Sequence, residues 1–155
     1  MEAEQGQWYF AYGSNMNTKQ LSCRIGRQKV TSRVGYAPDH ELVFNKLSRD
    51  GTGYANIQPK RDGIVYGVLY QLTEEELKKL DESEGVPKHY RREKIEVVLI
   101  EGGKVEADTY IAVRIQDGLR PRADYLKRII EGAKEHGLPG DYIQKLERVD
   151  YVPCC

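Results

Sequence analysis

Short apolar runs separated by polar turns fill the first two thirds of the chain, and helical spacing takes over towards its end. Residues 8–12 read as a buried strand that runs into a Gly13-Ser14-Asn15 turn. Residues 42–44 and 54–57 predict two further short strands, and residues 64–72 a longer one. Two more strands, over 94–100 and 105–115, flank the hairpin signal Glu101-Gly102-Gly103-Lys104. Thr73 followed by Glu76 is a capping box, in which hydroxyl and carboxylate satisfy each other's backbone N–H. It predicts a short helix to about Ser83, stopped by Gly85 and Pro87.

A second helix is predicted over 122–135, with Tyr125, Leu126, Ile129, Ile130 and Ala133 along one face and Gly137 and Pro139 as its stop. A last short helix starts at Asp141 and carries Tyr142 and Leu146 on one side. There is no repeat, linker or low-complexity segment. The pattern predicts one α+β domain over 1–155, a small curved or closed sheet with helices packed against it.

Charge narrows the partners. The 24 Lys and Arg residues are balanced by 24 Asp and Glu, so the positive excess that a nucleic-acid or anionic-membrane surface needs is missing. No run approaches the roughly 20 apolar residues of a bilayer span. The first seven residues are acidic and polar, without the basic and apolar parts of a secretion signal, so the expected compartment is the cytoplasm. Cys23, Cys154 and Cys155 make no disulfide framework. The adjacent terminal pair reads as a polar tail, and no nucleotide-binding P-loop favours a lipid-attachment reading. His40, His89 and His136 are too scattered for a metal site, so neither metal nor cofactor is expected.

The candidate chemistry starts at Glu84. It lies seven and four positions beyond Leu77 and Leu80, on the inward face of the capped helix if the helix persists that far. Partial burial, the neighbouring Asp81 and Glu82, and the negative helix end all disfavour its ionised form. A carboxylate held that way is a competent general base near neutrality. The plainer reading is an acidic helix end in water. The turn after residue 11 offers backbone N–H groups as an anion-accepting nest, against the plainer reading of an ordinary turn. Tyr12, Tyr90, Tyr110 and Tyr125 fall in or beside apolar elements, where a hydroxyl lines a polar cavity or bonds to a backbone carbonyl.

Three segments in order carry a family resemblance. Phe10-Ala11-Tyr12-Gly13-Ser14-Asn15 resembles the signature loop of the γ-glutamylcyclotransferases. Leu80-Asp81-Glu82-Ser83-Glu84-Gly85-Val86 is similar to the segment carrying their catalytic glutamate, and residues 132–139 to their C-terminal helix and its stop. The resemblance runs from about Trp8 to Tyr151 and is weakest between Gly35 and Asp62.

It implies a small mixed β-barrel flanked by helices, with Glu84 as acid/base and no cofactor. The loop Tyr9, Phe10, Ala11, Tyr12, Gly13, Ser14 and Asn15, with Tyr90, Tyr110 and Tyr125, would then bind a small γ-glutamyl substrate. The implied reaction releases 5-oxoproline and a free amine or amino acid. A non-catalytic ligand-binding module on the same fold is the alternative. Neither the leaving amine nor the oligomeric state is fixed by the sequence, and a homodimer is left open.

Overall fold

Five strands close into a barrel, and their order of pairing decides where the polar turn after residue 11 ends up. The computed structural model describes residues 6–154. Its strands are β1 (Gln7–Ala11), β2 (Ser32–Leu47), β3 (Gly53–Leu72), β4 (Tyr90–Leu99) and β5 (Lys104–Ala112), paired in the order β1-β3-β2-β4-β5. All neighbours are antiparallel except β1 and β5, whose parallel contact at Tyr9 and Asp108 closes the barrel. The strand-rich α+β expectation and the mixed barrel both hold. No helix among the described residues is long and apolar enough to cross a membrane.

Four helices pack around the barrel: α1 (Thr18–Ile25), α2 (Glu74–Ser83), α3 (Ala123–Glu135) and α4 (Gly140–Glu147). The capping box of α2 forms as predicted: Glu76 N–H donates to Thr73 Oγ1 (3.1 Å) and Thr73 N–H to Glu76 Oε1 (2.9 Å). The α3 stripe also holds, with Leu126, Ile129 and Ala133 buried. The hairpin between β4 and β5 turns where expected, with Leu99 N–H donating to the Gly103 carbonyl.

Three elements differ from the expectation. Helix α1 was not predicted, although Asn17 caps it by accepting from Gln20 N–H (3.0 Å) and Gly26 ends it in the left-handed region. Strands β2 and β3 are far longer than their predicted fragments, at 16 and 20 residues. The early half of β2 escaped notice because Gly35 and Ala37 fill its buried positions, leaving no apolar alternation. In β3 the stretch between the two predicted strands continues as strand, with a register shift between Pro38, which faces Ile64, and His40, which faces Pro59.

The chain leaves β1 through a single 3-10 turn over Ser14–Met16, and α3 lies directly against it. That approach requires Gly132: a Cβ there would sit 2.5 Å from the Met16 carbonyl carbon and 2.6 Å from Asn17 N. Alanine in a helix interior normally gains about 1 kcal/mol over glycine. Here overpacking against backbone, about 1–3 kcal/mol, opposes that gain. Gly132→Ala is therefore expected to lose on the order of 1 kcal/mol, read as a lower urea midpoint at unchanged slope. A more stable variant would show that α3 has room to move off the turn.

Candidate active site

Helix α2 ends in a Schellman motif, and that ending fixes Glu84. Gly85 takes φ +68°, Val86 N–H donates to the Asp81 carbonyl (3.0 Å), and Gly85 N–H donates to the Glu82 carbonyl (3.1 Å). A side chain at Gly85 would meet both a positive φ and the His89 ring, 2.6 Å from the added Cβ. Glu84 keeps helical backbone angles at the cap (φ −88°, ψ −1°) and stays on the inward face below Leu77 and Leu80. Its side chain is only 17% exposed.

The carboxylate meets two donors from the other end of the chain. Asn15 Nδ2 lies 3.2 Å and Arg24 Nη1 3.3 Å from Glu84 Oε2. Asn15 is itself held: its Nδ2 also donates to Tyr9 Oη (2.9 Å), and its Oδ1 accepts from Gln20 Nε2 and Arg24 Nη1, both at 3.0 Å. Burial pushes the Glu84 carboxyl above its ordinary value, opposed by Arg24, the Asn15 hydrogen bond and Lys46.

This corrects part of the electrostatic expectation. The nearby charges acting on Glu84 are cations, and Asp81 turns away to Tyr110 Oη (2.7 Å) and Arg92 Nε (3.2 Å). Glu82 lies on the outer side of the site.

A narrow recess opens beside Glu84, lined by Tyr9, Tyr12, Gly13, Ser14, Asn15, Ala55, Tyr90, Tyr110 and Tyr125. Phe10 and Ala11, grouped with the loop in the sequence, do not line it: β1 alternates, so Phe10 faces the core, and Ala11, on the Tyr9 side, is buried. Ala55, Arg24 and Lys46 were missed. Gly13 is tight: an added Cβ would stand 3.3 Å from Ala55 Cβ and 3.5 Å from Tyr125 Oη.

The tyrosines divide by what their protons do. Tyr12 donates to the Tyr110 carbonyl (2.5 Å), Tyr90 to the Ala55 carbonyl (2.8 Å) and Tyr110 to Asp81. Tyr125 Oη instead accepts from Ala55 N–H (3.0 Å), and Tyr9 Oη accepts from Asn15. The Tyr9 and Tyr125 hydroxyl protons have no acceptor among the described residues. The backbone N–H groups of Ser14 and Asn15 likewise have no partner there. The cavity thus offers four unspent donors around one buried carboxylate. Among the described residues no group of three or more His, Cys, Asp or Glu side chains is arranged to hold a metal. Cys154 is exposed, and Cys155 lies outside the described residues.

Known proteins resemble this chain in sequence and in fold. The AIG2-like family matches residues 64–146, more than half of the chain. The chain is 33% identical over 148 residues to the γ-glutamylcyclotransferase of Mus musculus, covering 92% of this chain and 78% of that one. It is 30% identical over 153 residues to the γ-glutamylcyclotransferase of Homo sapiens, covering 95% and 80%. A solved γ-glutamyl cyclotransferase superposes with a TM-score of 0.87 at 29% identity, over 94% of this chain and 89% of that one.

The raised Glu84 carboxyl has a consequence for stability. The folded chain holds this proton more tightly than the unfolded chain. The group therefore supports the fold fully below its ordinary value of 4.5, and that support is lost as pH rises through the raised folded value. Glu84→Gln removes the buried charge, and Arg24, 32% exposed, regains solvent. The variant is expected to have the higher urea midpoint at pH 7 and to converge with the parent near pH 4. A lower midpoint at pH 7 would mean that the Arg24 and Asn15 contacts outweigh the cost of burial.

Proposed function

This chain belongs to the AIG2-like family, and from that premise we propose that it is a γ-glutamylcyclotransferase in which Glu84 is the acid/base. The observation that carries the reading is the buried carboxylate itself, raised above the ordinary carboxylate range at the wall of a cavity rich in unspent donors. The resemblance of the motif segments and the names of the relatives supply the reaction class.

The γ-glutamyl part of the substrate occupies the tyrosine-lined recess. Its α-amino group has an unperturbed pKa of about 7.7–8.0 and arrives mostly protonated. Glu84 takes one proton, and the freed nitrogen attacks the γ-carbonyl carbon. A bond forms between that nitrogen and carbon, and the bond from the carbon to the leaving nitrogen breaks. Glu84 returns that proton to the leaving nitrogen, then takes the second proton that the ring nitrogen sheds on becoming an amide and passes it to the departing amine. Two protons thus move from the attacking to the leaving nitrogen, and no water or cofactor is consumed. Ring closure within one molecule already supplies much of the proximity advantage.

The remaining donors fall into roles around this step. The N–H groups of Ser14 and Asn15 suit the substrate α-carboxylate or the oxyanion that develops at the γ-carbonyl. Tyr125, its oxygen already anchored by Ala55 N–H, presents its proton to the substrate. Tyr12, Tyr90 and Tyr110 act as rigid walls, their protons committed elsewhere.

Glu84→Gln should bind substrate and fail to cyclise it, with kcat for 5-oxoproline release down by at least about a hundredfold. The parent rate should fall on acidification as Glu84 protonates, with its midpoint above the usual carboxylate range. That limb should be missing from the residual activity of the variant. Near-parental release by Glu84→Gln would end this mechanism. Tyr125→Phe should raise KM about 2- to 12-fold by removing one hydrogen bond. It should also cost about 1–3 kcal/mol of stability, because Ala55 N–H loses its acceptor. An unchanged KM with lowered stability would make Tyr125 purely structural.

A further inference from the structure

Outside Glu84 the cavity widens into a second, larger recess that shares Ser14, Glu84, Tyr90 and Tyr125 with the first. One wall of it is Lys46, which is 3% exposed. Its ammonium donates to the Leu47 carbonyl (2.7 Å) and to His89 Nδ1 (3.1 Å), leaving a third N–H. No carboxylate among the described residues is in salt-bridge contact with it. A buried lysine almost always has an ionic partner, because taking an unpaired ammonium out of water is costly.

The strand is deformed to put it there. Val43 faces Asn56 and Lys46 faces Tyr54, so three steps on β2 oppose two on β3, a β-bulge. The bulge turns Lys46 inward and leaves its neighbour Leu47 37% exposed, the reverse of their ordinary preferences. Arg49 and Arg128 line the same recess, while the one aspartate there, Asp50, is occupied by Ser48, Thr52 and Arg122. Glu82, exposed, and Glu84, held by Asn15 and Arg24, are the other carboxylates of this recess. Neither pairs with Lys46 within salt-bridge distance, and the ammonium lies 5.9 Å from the Tyr54 and Tyr90 ring centres.

We propose that Lys46 is a specificity residue: it forms, with Arg49 and Arg128 at the rim, a subsite for a carboxylate carried by the leaving half of the substrate. The inference rests on the cyclotransferase reading, since the γ-glutamyl half must fill the inner recess for the leaving half to reach the outer one. It selects amino acids and peptides over neutral amines as leaving groups. Lys46 binds the part of the substrate that does not react. Burial and the neighbouring Arg114 weaken its hold on its proton, and an arriving carboxylate restores it.

The test compares γ-glutamyl-alanine with γ-glutamyl-alaninamide, which differ only in the charge of the leaving half. The parent protein is expected to prefer the acid by about 10- to 100-fold in kcat/KM, the size of a charge-assisted hydrogen bond. Most of that preference should lie in KM. Lys46→Met should bring the ratio close to one, and Lys46→Arg should restore part of it. Equal kcat/KM for the two substrates in the parent overturns the inference while leaving the cyclotransferase reading intact, and this measurement needs no variant. A preference that survives in folded Lys46→Met also overturns it. Release of 5-oxoproline from neither substrate would overturn the cyclotransferase reading, and the subsite with it.

Discussion

A carboxylate at the inner end of α2 is costly to bury, several kcal/mol in effect, and the surrounding structure is arranged so that this cost is only partly offset. Two contacts to Glu84 Oε2, from Asn15 and Arg24, give back part of it. Full compensation would lower the carboxyl's pKa, as it does for Glu76, where Arg27 forms two hydrogen bonds at 2.7 and 3.0 Å. Glu84 has one longer contact to an arginine, and burial prevails. The two glutamates sit at opposite ends of α2, Glu76 in the capping box and Glu84 at the C-cap, and their partners differ as well. A short bidentate pair makes a structural anchor, and a long single contact leaves a basic group.

Both partners of Glu84 come from the segment between β1 and β2. Asn15 lies in the turn that α3 presses upon at Gly132, and Arg24 lies on α1. A second set of contacts fixes this segment from behind: Tyr70 Oη donates to the Met16 carbonyl (3.0 Å), and His136 Nε2 lies 2.9 Å from Thr18 Oγ1. The Glu84 carboxylate therefore depends on the end of α3, more than 40 positions away in the chain, for the placement of its hydrogen-bond donors. The apolar stripe of α3 supplies core, and its glycine and histidine supply register.

Much of this was legible in the sequence, and the unread parts share a cause. The capping box, the α3 stripe and the inward position of Glu84 are local patterns, and each is present. Helix α1 had a cap at Asn17, apolar positions at Leu21 and Ile25 and a stop at Gly26, yet its two-residue stripe is too thin to stand out. Half of β2 buries Gly35 and Ala37, so its inner face carries no hydrophobic signal. The loop was read as a unit, whereas β1 alternation sends Tyr9 to the cavity and Phe10 to the core. For Glu84, spacing gave the direction of its side chain. The sign of its nearest charges depended on Arg24 and Lys46, at distances in sequence that no pattern reports.

Lys46 belongs to the same class of hidden residue, since a lysine before a leucine on a polar strand reads as the outward member of the pair. Only the bulge, which changes which face each residue occupies, reverses that reading. Its location fits the division of labour in the site. The inner recess is built from the end of β1, the turn after it and the tyrosines around it, which on the proposed reaction meet the constant γ-glutamyl half. The outer recess draws on the end of β2 and on residues 48–50 before β3, within the stretch that resembles the family least. A segment that touches only the departing half is free to vary without disturbing proton transfer. A single extra residue in a strand is enough to turn a surface lysine into part of that outer wall.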